Sequence, residues 1–251
     1  MRVTLLARTS AALLVAGCAL VAIARGDDGK KAGKPVVIDF DKDEVGKVPQ
    51  DFTTALTGGG GEVKWTIVED KTAPSGGKAL AQTSTDDTDY RFPLCVYEKV
   101  SAKDVSVSVR FKPIAGKVDQ GAGIVVRYQD KDNYYVTRAN ALEDNVRLYH
   151  VVKGKRKQFA GVNAKVETGK WHTLKLVAKG DRFQVHYDEK PLFEAQDATF
   201  KDAGKVGLWT KADSVIHFDD LTIDTEVADL PAAPKKEGKG KAEKEDDDGD
   251  E

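Results

Sequence analysis

The sequence has very little cysteine, and this limits how the fold can be stabilised. Only Cys18 and Cys95 occur among the 251 residues, and Cys18 lies in an apolar segment near the amino terminus. The rest of the chain therefore has one thiol, which excludes an internal disulfide framework. Because no base or metal ligand accompanies Cys95, we predict that it is a small buried apolar residue rather than a reactive one.

The sequence also lacks an excess of either charge. The formal net charge is −2, with 39 Lys and Arg against 41 Asp and Glu, and no basic stripe is interleaved with aromatic residues. These features exclude a general attraction to nucleic acid or to an anionic membrane surface. The four histidines are scattered without metal-ligand spacing, so a zinc site is not expected. The glycine run at 58–61 precedes no helix, so a phosphate-binding loop is not expected either.

Long apolar runs are missing except at the amino terminus. An apolar segment at 11–24 follows two arginines, which is the pattern of an export signal and is short for a membrane span. Two processing routes stay open: lipidation at Cys18, where Val-Ala-Gly-Cys resembles a bacterial lipobox, and ordinary cleavage after Ala24. Either route predicts a protein that works outside the cytoplasm: periplasmic, anchored to the outer membrane through a lipid, or secreted.

The chain divides by composition into four regions. Residues 1–24 form the signal, 25–34 a polar linker, 35–227 the main domain and 228–251 a charged tail. The tail has almost no apolar residue towards its end, so it cannot bury enough surface to offset its chain entropy and is predicted to be disordered. No linker-like break interrupts the middle region, which predicts one domain there.

The middle region has no convincing long helix but many short stretches with a β-pattern. Most are rich in Val, Ile, Tyr, Phe and Thr and alternate in polarity, and turn sequences such as PSGG and AKGD separate them. The stretch LVAKGDRFQVHYDEKPLFE is typical of consecutive hairpins. Many short antiparallel strands in one domain predict an all-β antiparallel sandwich of jelly-roll type. The predicted strands are 36–40, 63–68, 78–84, 92–98, 105–113, 121–130, 133–140, 146–152, 171–180, 182–189, 205–211 and 215–223.

Several stretches resemble one superfamily. They are IDFDKDEVGKVPQDF at the start, GAGIVVRYQDKDNYYVTRAN in the centre, and GKVGLWT with FDD near the end. On these residues the chain, over about 36–224, resembles the concanavalin A-like lectin/glucanase superfamily. More narrowly, it resembles bacterial laminin-G-like domains of the 3-keto-disaccharide hydrolase type, also called domain of unknown function 1080. The resemblance implies a concanavalin A-like sandwich and leaves the activity open, because the shared motifs are turns and core.

The catalytic motif of family 16 glucanases is absent. That motif, Glu-x-Asp-x-x-Glu, places two carboxylates on one face of a strand. The chain offers only Glu194 and Asp197 in FEAQDATF, and their odd spacing puts them on opposite strand faces. Family 16 chemistry is therefore not expected. The remaining catalytic candidates are Glu143 and Asp144 in the turn ANALEDN, as a general acid or base at a groove rim.

Polar groups occupy strand positions in the central stretch DNYYVTRANALEDNVRLYHVV. By alternation, Arg138 and Asn140 share one strand face, and Arg127 and Tyr149 are predicted to point the same way. Guanidinium and amide groups beside aromatic rings suit a saccharide, because they bond hydroxyls while the rings cover C–H faces. An ordinary solvated face with cross-strand pairs is the alternative. The predicted substrate-binding residues are Arg91, Arg127, Arg138, Asn140, Asn145, Tyr149, Trp209 and Lys211.

A structural calcium ion is the one cofactor that the resemblance suggests. Asp39 and Asp41 near the start of the domain and Asp219 near its end supply hard oxygen ligands. They would converge if the first and last strands pair. The alternative is that these carboxylates cap turns or protect a sheet edge.

Three functions stay open from the sequence. The first is an exported carbohydrate-binding domain whose partner is a glycan on the concave sheet, with no nucleic acid and with membrane contact only through a lipid on Cys18. The second is a glycoside hydrolase of the 3-keto-disaccharide type, as the resemblance implies. The third is a non-catalytic adhesion or structural module. Retention on a glycan gel without release of reducing sugar would separate the first from the second.

Overall fold

The structure, a computed structural model, describes residues 34–230 of the chain. Fifteen β-strands occur in this range. No helix within that range has the length and apolar character needed to cross a membrane. The export signal with Cys18 and residues 231–251 of the charged tail lie outside the described residues. The strands are β1 Val36–Ile38, β2 Phe52–Gly58, β3 Trp65–Glu69, β4 Lys78–Gln82, β5 Arg91–Ala102, β6 Val105–Ala115, β7 Gly121–Asp130, β8 Asn133–Asn140, β9 Asn145–Val152, β10 Lys155–Asn163, β11 His172–Lys179, β12 Arg182–Tyr187, β13 Lys190–Gln196, β14 Gly204–Thr210 and β15 Val215–Asp224.

The strands form two antiparallel sheets that pack as a sandwich. The eight-stranded sheet has the order β13-β12-β11-β6-β15-β4-β3, with β1 also paired to β15. The seven-stranded sheet has the order β10-β9-β8-β7-β14-β5-β2. The all-β antiparallel sandwich predicted from alternation is therefore confirmed, and the first and last strands pair as expected.

The core between the sheets follows from strict alternation. Along β6, Val105, Val107, Val109 and Phe111 are all buried while the residues between them are partly exposed. Inward residues of β7 and β8 meet this face from the opposite sheet and join the same apolar cluster. Cys95 belongs to this cluster and is fully buried, so the prediction of a buried apolar thiol is confirmed. Burial raises its pKa.

The predicted strands omit β2, β10 and β13, although the hairpin pattern reaches into β13, and all three are end strands of their sheets. An end strand has one solvated edge, so it needs fewer apolar residues than a central strand. Strand β10 reads KRKQFAGVN, with its first residues charged or polar and mostly exposed. Its composition therefore resembles a loop although its backbone pairs with β9 from Lys155 to Asn163.

The seven-stranded sheet is buried on both faces. Its face away from the core carries a second apolar cluster, in which Phe92, Tyr134, Val136 and Trp209 have no exposed surface. A flat sheet would separate β10 from β5 by five strand spacings, or about 24 Å. Instead, the guanidinium carbon of Arg156 on β10 lies 4.8 Å from the ring centroid of Phe92 on β5. The sheet therefore curves around this cluster, and we call this side the concave face.

Contacts across the concave face close it at one end. The hydroxyl of Tyr90, just before β5, donates to the carbonyl of Gly154 at 2.9 Å and accepts from the amide of Arg156 at 2.8 Å. On the other side, the hydroxyl of Thr57 on β2 lies 2.9 Å from the hydroxyl of Tyr134 on β8. The opposite end, where β8 turns into β9, carries polar and charged groups instead. We call it the polar end.

Two glycines of β7 make room for the tryptophan of the concave face. Trp209 on β14 is the cross-strand partner of Gly123. A Cβ atom at Gly123 would lie 3.2 Å from Trp209 Cε3 and 2.9 Å from the carbonyl oxygen of Thr137, which is too close. The GAG start of β7 therefore lets the indole lie flat against the sheet, stacked with Phe92 at 5.3 Å.

Candidate functional site

Arg138 is the centre of the polar end. It comes from β8 with a side chain that is 4% exposed. One guanidinium nitrogen donates to Glu143 Oε2 at 2.7 Å and contacts the Tyr149 hydroxyl at 3.1 Å, while the other donates to Asn145 Oδ1. Asn145 in turn donates to Glu143 Oε2 at 2.9 Å. The structure therefore brings together Arg138, Asn145, Tyr149 and Glu143 of the predicted set.

The charges in this group hold one another ionised. Burial alone would raise the pKa of Glu143, but Arg138 and the Asn145 amide outweigh it and lower that pKa. Burial alone would lower the pKa of Arg138, yet Tyr149, Glu143 and Asp119 reverse this and raise it. The ion pair therefore stays charged because its partners outweigh the unfavourable effect of burial on each charge.

Asp119 lies at the floor of the polar end, although no pattern in the sequence indicates it. Its loop is fixed because the Asp213 carboxylate accepts the amides of Val118 and Asp119, at 3.1 and 3.0 Å. Asn140 donates to Asp119 Oδ1 at 3.0 Å, and Lys211 Nζ lies 3.5 Å from Oδ2. Burial raises the pKa of Asp119 to about 6, against the opposing effect of Arg138 and Lys211.

Asn140 and Lys211, both predicted from the sequence, act here through Asp119. Asn140 is fully buried, and its Oδ1 also accepts the amide of Leu142 at 2.9 Å, which fixes the β8–β9 turn. Lys211 also pairs with the exposed Asp89 at 2.7 Å. Lys211 therefore lies near solvent, whereas the buried Asn140 positions Asp119 and the β8–β9 turn.

Arg156 is a member of the site that sequence reasoning missed, because β10 was not predicted. Its guanidinium carbon lies 4.6 Å from the ring centroid of Tyr149 and 5.9 Å from that of Trp209. Cations over aromatic faces are attracted by the ring quadrupole. Arg156 therefore covers the aromatic cluster where that cluster meets the polar end.

Trp209 has no surface that a ligand could touch. It is 0% exposed, beneath Arg156 and beside Phe92. This corrects the prediction that Trp209 contacts a sugar: its role is to form the floor on which Arg156 rests.

Arg127 points away from the concave face, which corrects a second prediction. A register shift follows Val126 on β7, and Arg127 has a positive φ of 50°. The irregularity turns the side chain over, so simple alternation fails there. Its guanidinium donates to the carbonyls of Lys103 and Phe200, each at 2.8 Å, and to that of Gly180.

The side chains of Arg91 and Asp144 also form hydrogen bonds that fix loop segments. Arg91 is fully buried and donates to three backbone carbonyls, those of Gly61, Glu62 and Ala212, so the prediction that it binds a ligand needs correction. Asp144 accepts from Lys165 Nζ at 2.8 Å and from the amide of Val166 at 3.1 Å. Its carboxylate therefore fixes the chain after β10 rather than facing Arg138.

The carboxylates proposed for calcium do not form a metal site within residues 34–230. There, no group of three or more Asp, Glu, His or Cys side chains is arranged to hold a metal ion. Asp219 is fully buried and accepts from the amide of Ser75 at 3.0 Å and from its hydroxyl at 2.7 Å. Pairing of β1 with β15 brings Asp39 and Asp41 to the same side, where Asp39 contributes its carbonyl to Ser75. Asp219 therefore fixes the 70–77 loop, and the Asp39 carboxylate accepts the amide of Asp41 at 3.2 Å, so the three carboxylates do not fit a calcium ion.

Parts of this chain are similar in sequence to known proteins. The family model described as "Galactocerebrosidase, C-terminal lectin domain" matches residues 91–226. The levanase of Bacillus subtilis (strain 168) is 31% identical over 91 residues, which are 36% of this chain and 13% of that protein. The chain therefore spans only a small part of the length of this curated relative.

Two solved structures have the same fold. The carbohydrate binding module CBM66 from Bacillus subtilis superposes with a TM-score of 0.56 and 21% identity, covering 69% of this chain and 95% of that one. The cellulose induced protein Cip1 gives a TM-score of 0.57 at 11% identity, covering 78% of this chain and 100% of that one. At these identities the likeness concerns the fold alone.

Proposed function

The chain belongs to the family of galactocerebrosidase C-terminal lectin domains, and from this premise we propose that it is a carbohydrate-binding β-sandwich domain that receives a sugar at its polar end. The matched residues 91–226 include Arg138, Glu143 and Arg156. Asp119, on the loop before β7, also lies in that range. The names of its relatives, a levanase and a carbohydrate binding module, support the same ligand class.

One observation carries the proposal. Asp119 Oδ2, Arg138 Nε and Arg156 Nη1 are buried, yet none has a hydrogen-bond partner within the described part of the chain. An unsatisfied buried polar atom costs about 1–3 kcal/mol, so native proteins leave few of them without a water or ligand. A sugar hydroxyl both donates and accepts, so adjacent hydroxyls would satisfy a carboxylate and a guanidinium together.

The three atoms belong to one region. A Cβ atom built on Gly121 would lie 2.8 Å from Asp119 Oδ1, 3.4 Å from the Trp209 ring and 3.8 Å from Arg138 Cδ. Asp119 also has Arg138, Lys211, Glu143 and Arg156 within electrostatic range. A small ligand at the polar end would therefore meet hydrogen-bond donors and acceptors at once.

The shape of the concave face favours the end of a glycan chain. Its middle is filled by the apolar cluster, and the Tyr90 and Thr57 contacts close the far end. An extended saccharide cannot lie along such a face, whereas a terminal sugar can enter the polar end. We therefore propose recognition of a chain terminus rather than of an internal segment.

Affinity retention tests this function. The protein is run through gels that contain immobilised glycans, and dissociation constants are then measured by calorimetry with matching oligosaccharides. Arg138→Gln should abolish retention, whereas Arg182→Gln, which removes an arginine from β12 on the other sheet, should leave it unchanged. Equal retention of the two variants would place the glycan elsewhere, and lack of retention of the native protein on every glycan would refute the function.

Glycoside cleavage is a second candidate, supported by the paired carboxyl groups. Burial raises the pKa of Asp119 to about 6, while Arg138 keeps that of Glu143 below its usual value. Two carboxyl groups whose pKa values are shifted in opposite directions are typical of a general acid beside an ionised partner. Release of reducing sugar, lost in Glu143→Gln, would support this role over binding alone.

We also propose that the domain acts outside the cytoplasm. The support is the segment at 11–24, which has the pattern of an export signal. The mass of the mature amino terminus tests the proposal: a lipidated Cys18 or cleavage after Ala24 agrees with it, whereas an intact amino terminus contradicts it.

A further inference from the structure

Two arginines face each other directly on the concave face. Arg138 on β8 is the cross-strand partner of Arg147 on β9, and like charges opposite one another destabilise a sheet. Arg138 turns to Glu143, and Arg147 donates to the amide oxygen of Asn163 at 2.8 Å. Arg156 on β10 adds a third guanidinium, so three neighbouring strands each present one to the same face.

Tyr149 lies between two of these side chains, those of Arg138 and Arg156. Its hydroxyl is 3.1 Å from Arg138 Nη2, and its ring centroid is 4.6 Å from the guanidinium carbon of Arg156. Arg147 precedes Tyr149 by two residues on the same strand face, about 7 Å along the strand. The guanidiniums of Arg138 and Arg156 therefore both lie against this one ring, and Arg147 adds a third positive charge on the same strand face.

Positive charge is in excess around this ring. Glu143 pairs with Arg138, and Asp89 pairs with Lys211. Among residues 34–230, no carboxylate forms an ion pair with Arg147 or Arg156. Asp119, the remaining acid of the polar end, contacts Asn140 and Lys211, so one carboxylate faces the two unpaired guanidiniums of Arg147 and Arg156.

The free donors suit an oxyanion. Arg156 Nη1 is buried and lacks a hydrogen-bond partner in the described part of the chain, as does Nε of Arg138. A planar guanidinium fork binds a carboxylate or sulfate through two parallel hydrogen bonds. Its position over the Tyr149 ring also removes water on one side, which strengthens an ionic contact.

We propose that the sugar bound at the polar end carries an anionic group, a carboxylate or a sulfate ester, which Arg147 and Arg156 bind. This inference rests on the proposed carbohydrate-binding function and specifies the chemical class of the terminal sugar. Glu143 and Asp119 remain available for its hydroxyl groups. The exposed part of Arg147 and Arg156 gives the anion access from solvent.

Calorimetry on the full chain tests the inference with three oligosaccharides that differ only in the terminal residue: a neutral hexose, a hexuronic acid and a sulfated hexose. At least one anionic oligosaccharide should bind about tenfold more tightly than the neutral one, as expected for charge-assisted hydrogen bonds. The better of the two identifies the anionic group. Arg156→Gln and Arg147→Gln should each remove most of this preference, whereas Arg182→Gln should preserve it.

The native protein supplies a second measurement that does not depend on variants folding. Its affinity for the preferred anionic oligosaccharide should fall as salt is raised, while the affinity for the neutral one should change little. Neutral binding that equals or exceeds anionic binding overturns this inference and leaves the proposed function standing. No binding in any arm overturns both.

Discussion

Replacing Asp119 by asparagine should stabilise the protein at neutral pH. Asp119 is 1% exposed, and its carboxylate is ionised at pH 7 in spite of that burial. The shift of its pKa from 3.8 to about 6 corresponds to a cost of about 3 kcal/mol for the charged form. Asparagine has nearly the same shape and carries no charge, so it avoids this cost while still accepting from Asn140.

The sign of the pH dependence follows from the raised pKa. The folded state holds the Asp119 proton more tightly than the unfolded chain does, so this group stabilises the fold fully below pH 3.8 and loses that contribution as pH rises past about 6. Asp119→Asn should therefore match the native protein near pH 4 and exceed it by up to about 3 kcal/mol at pH 8. Urea unfolding at several pH values measures this difference.

Glu143→Gln is the matched control, because the pKa of Glu143 is lowered rather than raised. Its carboxylate stabilises the fold above its unfolded pKa, and this contribution disappears as pH falls. The variant should therefore be less stable than the native protein at pH 7, with the difference shrinking in acid. Arg138, Lys211, Glu143 and Arg156 all face Asp119, so a pH-independent gain for Asp119→Asn would refute the balance of burial and charge described above.

Three other substitutions or modifications test separate features. Arg127→Met should cost about 3 kcal/mol in urea unfolding, because three backbone carbonyls lose a donor; unchanged stability would contradict this. It should leave glycan retention of the folded protein intact. Gly123→Ala should destabilise by about 1–3 kcal/mol, since its Cβ would press on Trp209 and the Thr137 carbonyl; a neutral effect on the melting temperature would show that the indole can move. Cys95 should resist alkylation until the protein is unfolded, because it is fully buried and burial raises its pKa; peptide mapping by mass spectrometry detects labelling in the native state.

The fold could be predicted because the central strands show a clear local alternation of apolar and polar residues. Strands β7 and β8 have the predicted bounds, 121–130 and 133–140, since alternating apolar residues there face a core on one side. The signal fails at the sheet ends. Strand β10 is paired along one edge only and begins with Lys155, Arg156 and Lys157, so nothing in its composition distinguishes it from a loop.

The candidate site was only partly predictable, for two physical reasons. Alternation correctly groups Arg138 with Tyr149, but it fails at Arg127, where a strand irregularity reverses the side chain. Asp119 lies in an irregular loop, and only the tertiary contact with Asp213 brings it to the site. Long-range contacts of this kind leave no periodic trace in a single sequence.

The phenol of Tyr90 has a consequence for how binding preference could be adjusted. Its hydroxyl bonds the β9–β10 corner to the segment before β5 through one donated and one accepted bond, and so holds the main chain of Arg156 at the closed end of the concave face. A change in the length of that segment would shift this main chain, and with it the guanidinium of Arg156, without replacing any residue of the polar end. Binding preference can thus be adjusted through a main-chain contact at the closed end.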